Sequence, residues 1–171
     1  SLIPSLMEIY EYNKARNNKD VNIFETGEVF YKENEEYVQN DHLGILMTGT
    51  YIDGVNNKIN ADYYYIKGII ENILDYLGYN KRYDFTIEQT IKNMHPYQTA
   101  SIIVNGKNVG FLGRIHPSIY KDNVYISEIN LTELRKIGVG NMKHKEISKY
   151  PSIKKDVSFI FDKEVLSKDI I

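Results

Sequence analysis

The sequence predicts an α+β domain whose antiparallel sheet is flanked by helices. Three observations lead there: at least six short runs with strand character, two sizeable amphipathic helices, and connections that read as hairpins rather than strand–helix–strand crossovers.

The elements follow in order. Residues Pro4 to Arg16 read as a helix, because Pro near the start sacrifices no hydrogen bond there. Leu2, Leu6, Ile9, Tyr10 and Asn13 recur at three and four, so one stripe can face a core. Asn17-Asn18-Lys19-Asp20 ends it. Val21 to Glu25 and Glu28 to Lys32 are expected as two short strands around a Thr26-Gly27 turn, with Glu33-Asn34-Glu35-Glu36 as a solvated hairpin tip. His42 to Tyr51 is an almost continuous apolar run, as in a strand covered on both faces, and Asp53-Gly54 with Asn56-Asn57 follow as a loop.

Asp62 to Leu77 is the clearest helix. Asp62 can accept from the free first-turn N–H groups, and Ile66, Ile69, Ile70, Ile73, Leu74 and Leu77 form a wide apolar face. Gly78 supplies the left-handed closing residue. The period then becomes two. Tyr83 to Ile87 alternates as a strand, and Ser101 to Val104 and Val109 to Ile115 flank Asn105-Gly106, a type I′ turn dipeptide. His116-Pro117 stops that strand, Val124 to Leu131 is another, and Thr132 caps a short helix to Lys136. Gly138 and Gly140 break the chain before a basic connector, Lys143 to Lys155, and Val157 to Phe161 is expected as a last strand. The domains expected are therefore 1–142 and 143–171.

The 171 residues are 42% hydrophobic and 26% charged, which suits a packed domain rather than a disordered tail. With 21 Lys+Arg against 23 Asp+Glu no global basic field gathers nucleic acid, so any RNA contact would be a local patch. The absence of Cys excludes a disulfide framework, a thiolate zinc site and a cysteine nucleophile, and fits a reducing, cytoplasmic setting. No run reaches the roughly 18 apolar residues of a membrane span, so no membrane role is expected. The start at Ser1 and the stop at Lys168-Asp169-Ile170-Ile171, inside an expected element, suggest a piece of a longer protein.

A search for chemistry returns little. His95 and His116 each precede a Pro, His42 and His144 stand apart, and none has the spacing that puts metal ligands on one face; each X-Pro His is read as closing a strand and bonding locally. Gly106, Gly110 and Gly113, with Arg114 beside the last, are spaced along extended chain, which suits a tight turn and close sheet packing better than a phosphate cradle. The carboxylates lie at exposed positions, and no nucleophile elbow or P-loop occurs. No catalytic, cofactor or metal residue is assigned. Lys143, Lys145, Lys149, Lys154 and Lys155, with Tyr150 among them, read either as an RNA-facing patch or as a solvated linker.

The order of short motifs says more. Leu2-Ile3-Pro4-Ser5-Leu6, Phe24-Glu25-Thr26-Gly27-Glu28-Val29-Phe30 and His42-Leu43-Gly44-Ile45-Leu46-Met47-Thr48-Gly49 come first. Tyr65-Ile66-Lys67-Gly68, His95-Pro96-Tyr97-Gln98-Thr99-Ala100, Gly110-Phe111-Leu112-Gly113-Arg114-Ile115-His116-Pro117 and Tyr150-Pro151-Ser152-Ile153-Lys154-Lys155-Asp156-Val157 complete the series. Together they resemble the C-terminal half of the beta subunits of bacterial phenylalanine–tRNA ligases, over nearly the whole chain.

The resemblance implies a class II synthetase-like module in residues 1–142 that has lost its active site and packs against the alpha subunit of an α2β2 enzyme. That enzyme uses ATP and magnesium to attach phenylalanine to tRNA(Phe). From 143 to 171 it implies a connector and the start of a ferredoxin-fold anticodon-binding domain. The alternative is a free-standing RNA-binding module using 143–155. A class II site needs two arginines for ATP; Phe24-Glu25-Thr26-Gly27 offers none, and Arg114 is the single candidate for the other. Two departures stand out. The family's first His-Pro usually continues Gly-Arg-Ser-Ala where this chain has Tyr97-Gln98-Thr99-Ala100, and an acidic residue is usual at the place of Arg114.

Overall fold

The computed structural model describes residues 1–53, 57–139, 155–162 and 165. The chain divides into two compact units, Ser1–Asn141 and Met142–Ile171. In the first, the order is α1 (Ile3–Lys14), β1 (Val21–Glu33), β2 (Glu36–Thr48), β3 (Thr50–Asp53), β4 (Asn57–Asn60), α2 (Tyr63–Tyr76), β5 (Tyr83–Ile87), β6 (Met94–Val104), β7 (Lys107–Ile115), β8 (Val124–Asn130) and α3 (Leu131–Ile137). Six strands form one sheet, ordered β1-β2-β8-β7-β6-β5, with every pairing antiparallel, and β3 and β4 form a separate hairpin. The α+β class is as expected.

Helices cover both faces. Along β2 the side chains alternate, so Leu43, Ile45 and Met47 join Ile66, Ile70 and Leu74 of α2 in one core, while Leu46 joins Leu6 and Tyr10 of α1 in the other. That is why residues 43–47 carry no polar side chain. Asp62 caps α2 by accepting from the Tyr65 N–H at 2.7 Å, and Ile66, Ile70 and Leu74 are fully buried. Helix α1 closes with Asn17 in the left-handed region (φ 62°), its N–H donating to Lys14 O and the Asn18 N–H to Asn13 O. Of its expected stripe, Leu2, Leu6 and Tyr10 are buried, but Ile9 is exposed.

Five expectations are corrected. Thr26-Gly27 is no turn: β1 runs unbroken through it, paired with His42 and Leu43, and the missing Cβ of Gly27 makes room for the Leu2 side chain. The turn comes at Asn34-Glu35, whose φ values of 47° and 70° give a type I′ hairpin. The expected strand His42 to Tyr51 breaks at Gly49, and Thr50–Asp53 instead pairs with Asn57–Asn60 as a separate hairpin; Gly54 and Asn56 of the expected loop lie outside the described residues. His95 lies inside β6, which begins at Met94; residues 95–98 stand opposite Arg114 alone, and this bulge admits Pro96 to a strand. The cap of α3 is Asn130, whose Oδ1 accepts from the Glu133 N–H, while the Thr132 hydroxyl instead accepts from the Asp41 N–H. Residues 155–162, including the expected strand Val157–Phe161, have no regular structure; Val157, Phe159 and Ile160 are exposed, and a strand needs a partner for its backbone groups.

Candidate functional site

Lys143, Lys145, Lys149 and Lys154 lie outside the described residues, as does His144; Lys155 is exposed at the start of the irregular segment. The glycines behave as the sequence suggests. A Cβ on Gly110 would sit 2.1 Å from Glu128 O, and one on Gly113 2.5 Å from Gln98 O, so both serve close strand approach and cradle nothing.

The chain's arginines do not converge. Arg16 stacks on Tyr12, Arg135 pairs with Asp41 at 2.5 Å, and Arg82 donates to Asn105 Oδ1 and Gly138 O. Only Arg114 stands on the sheet beneath α2, directly across from Tyr125. It is half-buried, and its Nε is buried without an acceptor. A turn follows it, with the Ile119 N–H donating to His116 O, where a helix would be needed to aim a phosphate. His95 and His116 come together with ring centroids 6.2 Å apart, and each Nδ1 accepts a nearby backbone N–H, from Tyr97 and Ser118. Among the described residues no three His, Cys, Asp or Glu side chains cluster to hold a metal.

The sequence reading missed Glu128. It is buried on β8, where it accepts from the Ser1 hydroxyl at 2.5 Å and the Leu2 N–H at 3.0 Å and lies 2.9 Å from His42 Nδ1 of β2. Burial pushes its carboxyl up, but these hydrogen bonds outweigh that and hold it below the usual range. The signal was the one charged residue in the strand Val124–Asn130. The cluster ties α1 to the sheet.

What the fold leaves open is apolar. β1 is the sheet's outer strand, 13 residues long, with no neighbour beyond it among the described residues. Phe24 and Phe30, both on its α2 side, are 74% and 65% exposed, far more than isolated aromatic residues need be. At Phe24 a groove of about 480 Å³ runs between β1–β2 and α2, lined also by Leu43, Ile45, Tyr65, Ile69 and Ile73. Such a surface suits protein association better than turnover of a polar substrate.

Comparison with known proteins agrees with the motif order. Residues 1–134 match the family described as the phenylalanyl tRNA synthetase beta chain CLM domain. The whole chain is 31% identical to the phenylalanine–tRNA ligase beta subunit of Staphylococcus epidermidis and 32% identical to that of Staphylococcus aureus, in each case over 22% of the relative. With that of Bacillus licheniformis it is 34% identical over 96% of this chain and 21% of the relative. The chain spans about a fifth of the length of the curated relatives it matches.

Proposed function

The chain belongs to the phenylalanyl-tRNA synthetase beta chain family, and from that premise we propose that it is a non-catalytic module of the ligase. In this reading residues 1–142 have the class II synthetase-like fold without its reactive centre and hold the alpha subunit in an α2β2 assembly. The assembly attaches phenylalanine to tRNA(Phe) in the cytoplasm, using ATP and magnesium. Residues 143–171 open the ferredoxin-fold anticodon-binding domain.

One observation carries the reading: Arg114 stands alone on the sheet face where phosphoryl chemistry would need several aimed cations, while Phe24 and Phe30 expose an apolar edge. The test is sedimentation of the complete beta subunit with the alpha subunit. Phe24→Asp together with Phe30→Asp is expected to weaken association by about a hundredfold, as for central aromatic anchors. Failure of the folded wild-type chain to associate refutes the proposal, as does amino-acid-dependent pyrophosphate exchange by this chain alone. In the same reading Lys143, Lys145, Lys149, Lys154 and Lys155 approach tRNA. Changing all five to Ala in the whole enzyme lowers tRNA affinity and flattens its salt dependence; unaltered affinity makes the run a linker.

A further inference from the structure

Strand β1 pairs with β2 along all thirteen of its residues and, among the described residues, with nothing on its other side. Such an edge presents a row of open N–H and C=O groups, which sheets normally guard with Pro, bulges or lysines. β1 has no Pro, its register with β2 is unbroken, and its one Lys, Lys32, stands next to its end. Phe24 and Phe30 lie bare on its α2 side.

This edge is complementary to itself. In Val21–Glu33 the two phenylalanines stand symmetrically about Gly27, three residues to either side. A twofold axis normal to the sheet at Gly27 runs a second β1 antiparallel to the first. It sets Phe24 opposite Phe30 twice, Thr26 opposite Glu28, Glu25 opposite Val29 and Asn22 opposite Lys32. Opposed residues of an antiparallel pair share a face, so both aromatic pairs close over the α2 side. Opposed aromatic residues stabilise a sheet, and opposed like charges destabilise it. The inner glutamates therefore choose the register. An axis at residue 25 or 28 sets a glutamate against its own copy, and one at 26 sets Glu28 against Phe24.

We propose that two copies of this chain pair through β1 about Gly27, joining their six-stranded sheets into one. The same edge holds the alpha subunit in the reading above, so copy and subunit exclude each other. The dimer itself needs no alpha subunit and is measured without one, so its failure leaves that reading standing.

The test is sedimentation of the 171-residue chain alone, from about 5 to 300 µM, where a monomer–dimer equilibrium with a Kd of about 10 µM is expected. Phe24→Asp together with Phe30→Asp sets carboxylates opposite each other and is expected to weaken it at least about fiftyfold. Register is read by cross-linking, which is unambiguous because the chain has no Cys. Thr26→Cys and Glu28→Cys, both at exposed positions, are made as separate variants and oxidised alone or mixed. Directly opposed strand residues lie within disulfide reach, so the mixture is expected to cross-link at least about tenfold faster than either variant alone. A monomer at 300 µM, a dimer that survives the double Asp change, or a mixture no faster than the single variants overturns the proposal.

Discussion

Glu128 on β8 holds the imidazole of His42 on β2 at 2.9 Å, and the same carboxylate takes the Leu2 N–H at the head of α1. One buried acid thus fastens a helix to two adjacent strands of the sheet. Its carboxyl is held low in the folded chain, so the unfolded chain binds its proton more readily. The stability it contributes is full above the unfolded value of about 4.3 and is lost as pH falls through the lower folded value. Glu128→Gln should flatten the acid limb of a stability–pH curve, and Glu128→Ala should cost about 3 kcal/mol at pH 7 by urea unfolding.

The alkaline limb has the opposite sign. Burial, and then the Asp75 carboxylate, push the Tyr83 phenol up to about 12. The folded chain keeps this proton after the unfolded chain has lost it, so stability is full below about 10 and declines as pH rises toward the folded value. Tyr83→Phe should remove that part of the decline, read by thermal unfolding between about pH 9 and 12.

Two glycine substitutions should part company. Gly113→Ala drives a methyl to 2.7 Å from Thr99 Cα, a backbone neighbour that cannot step aside, and should cost about 3 kcal/mol or more. At Gly68, inside α2, a methyl meets nothing within 4 Å. Gly68→Ala should therefore stabilise by about 0.5–1 kcal/mol, seen as a higher Tm.

At the start of α3, Asn130→Ala should cost about 1 kcal/mol, because its side chain accepts the Glu133 N–H. Thr132→Val should act through β2 instead, releasing the Asp41 N–H, so hydrogen exchange at Asp41 should quicken in that variant and not in Asn130→Ala.

Much of this architecture was legible because local signals and tertiary demands agree. In α2 the cap, the apolar repeat and the closing glycine all point to one helix, and Tyr83–Ile87 alternates as an edge strand should. The failures come where a distant residue decides. Gly27 reads as punctuation until Leu2, far off in sequence, lies against it. Pro96 reads as a stop until a bulge opposite Arg114 absorbs it. Asn130 and Thr132 both suit a helix cap, and only the Asp41 N–H across the fold tells them apart. Of the candidate sites, the exposed edge could not be read from the sequence. Phe24 and Phe30 look like any strand residues until the sheet order places β1 outermost.

The β1–β2 hairpin carries a practical corollary. From Phe30 to Tyr37 every residue is exposed, and the turn at Asn34-Glu35 touches no core residue. A foreign peptide spliced between those two would add only the slow logarithmic entropy of a longer loop, leaving the register below it pinned by thirteen paired residues. The projecting ribbon is thus a ready handle for a fluorophore or affinity tag that leaves the body bearing it undisturbed.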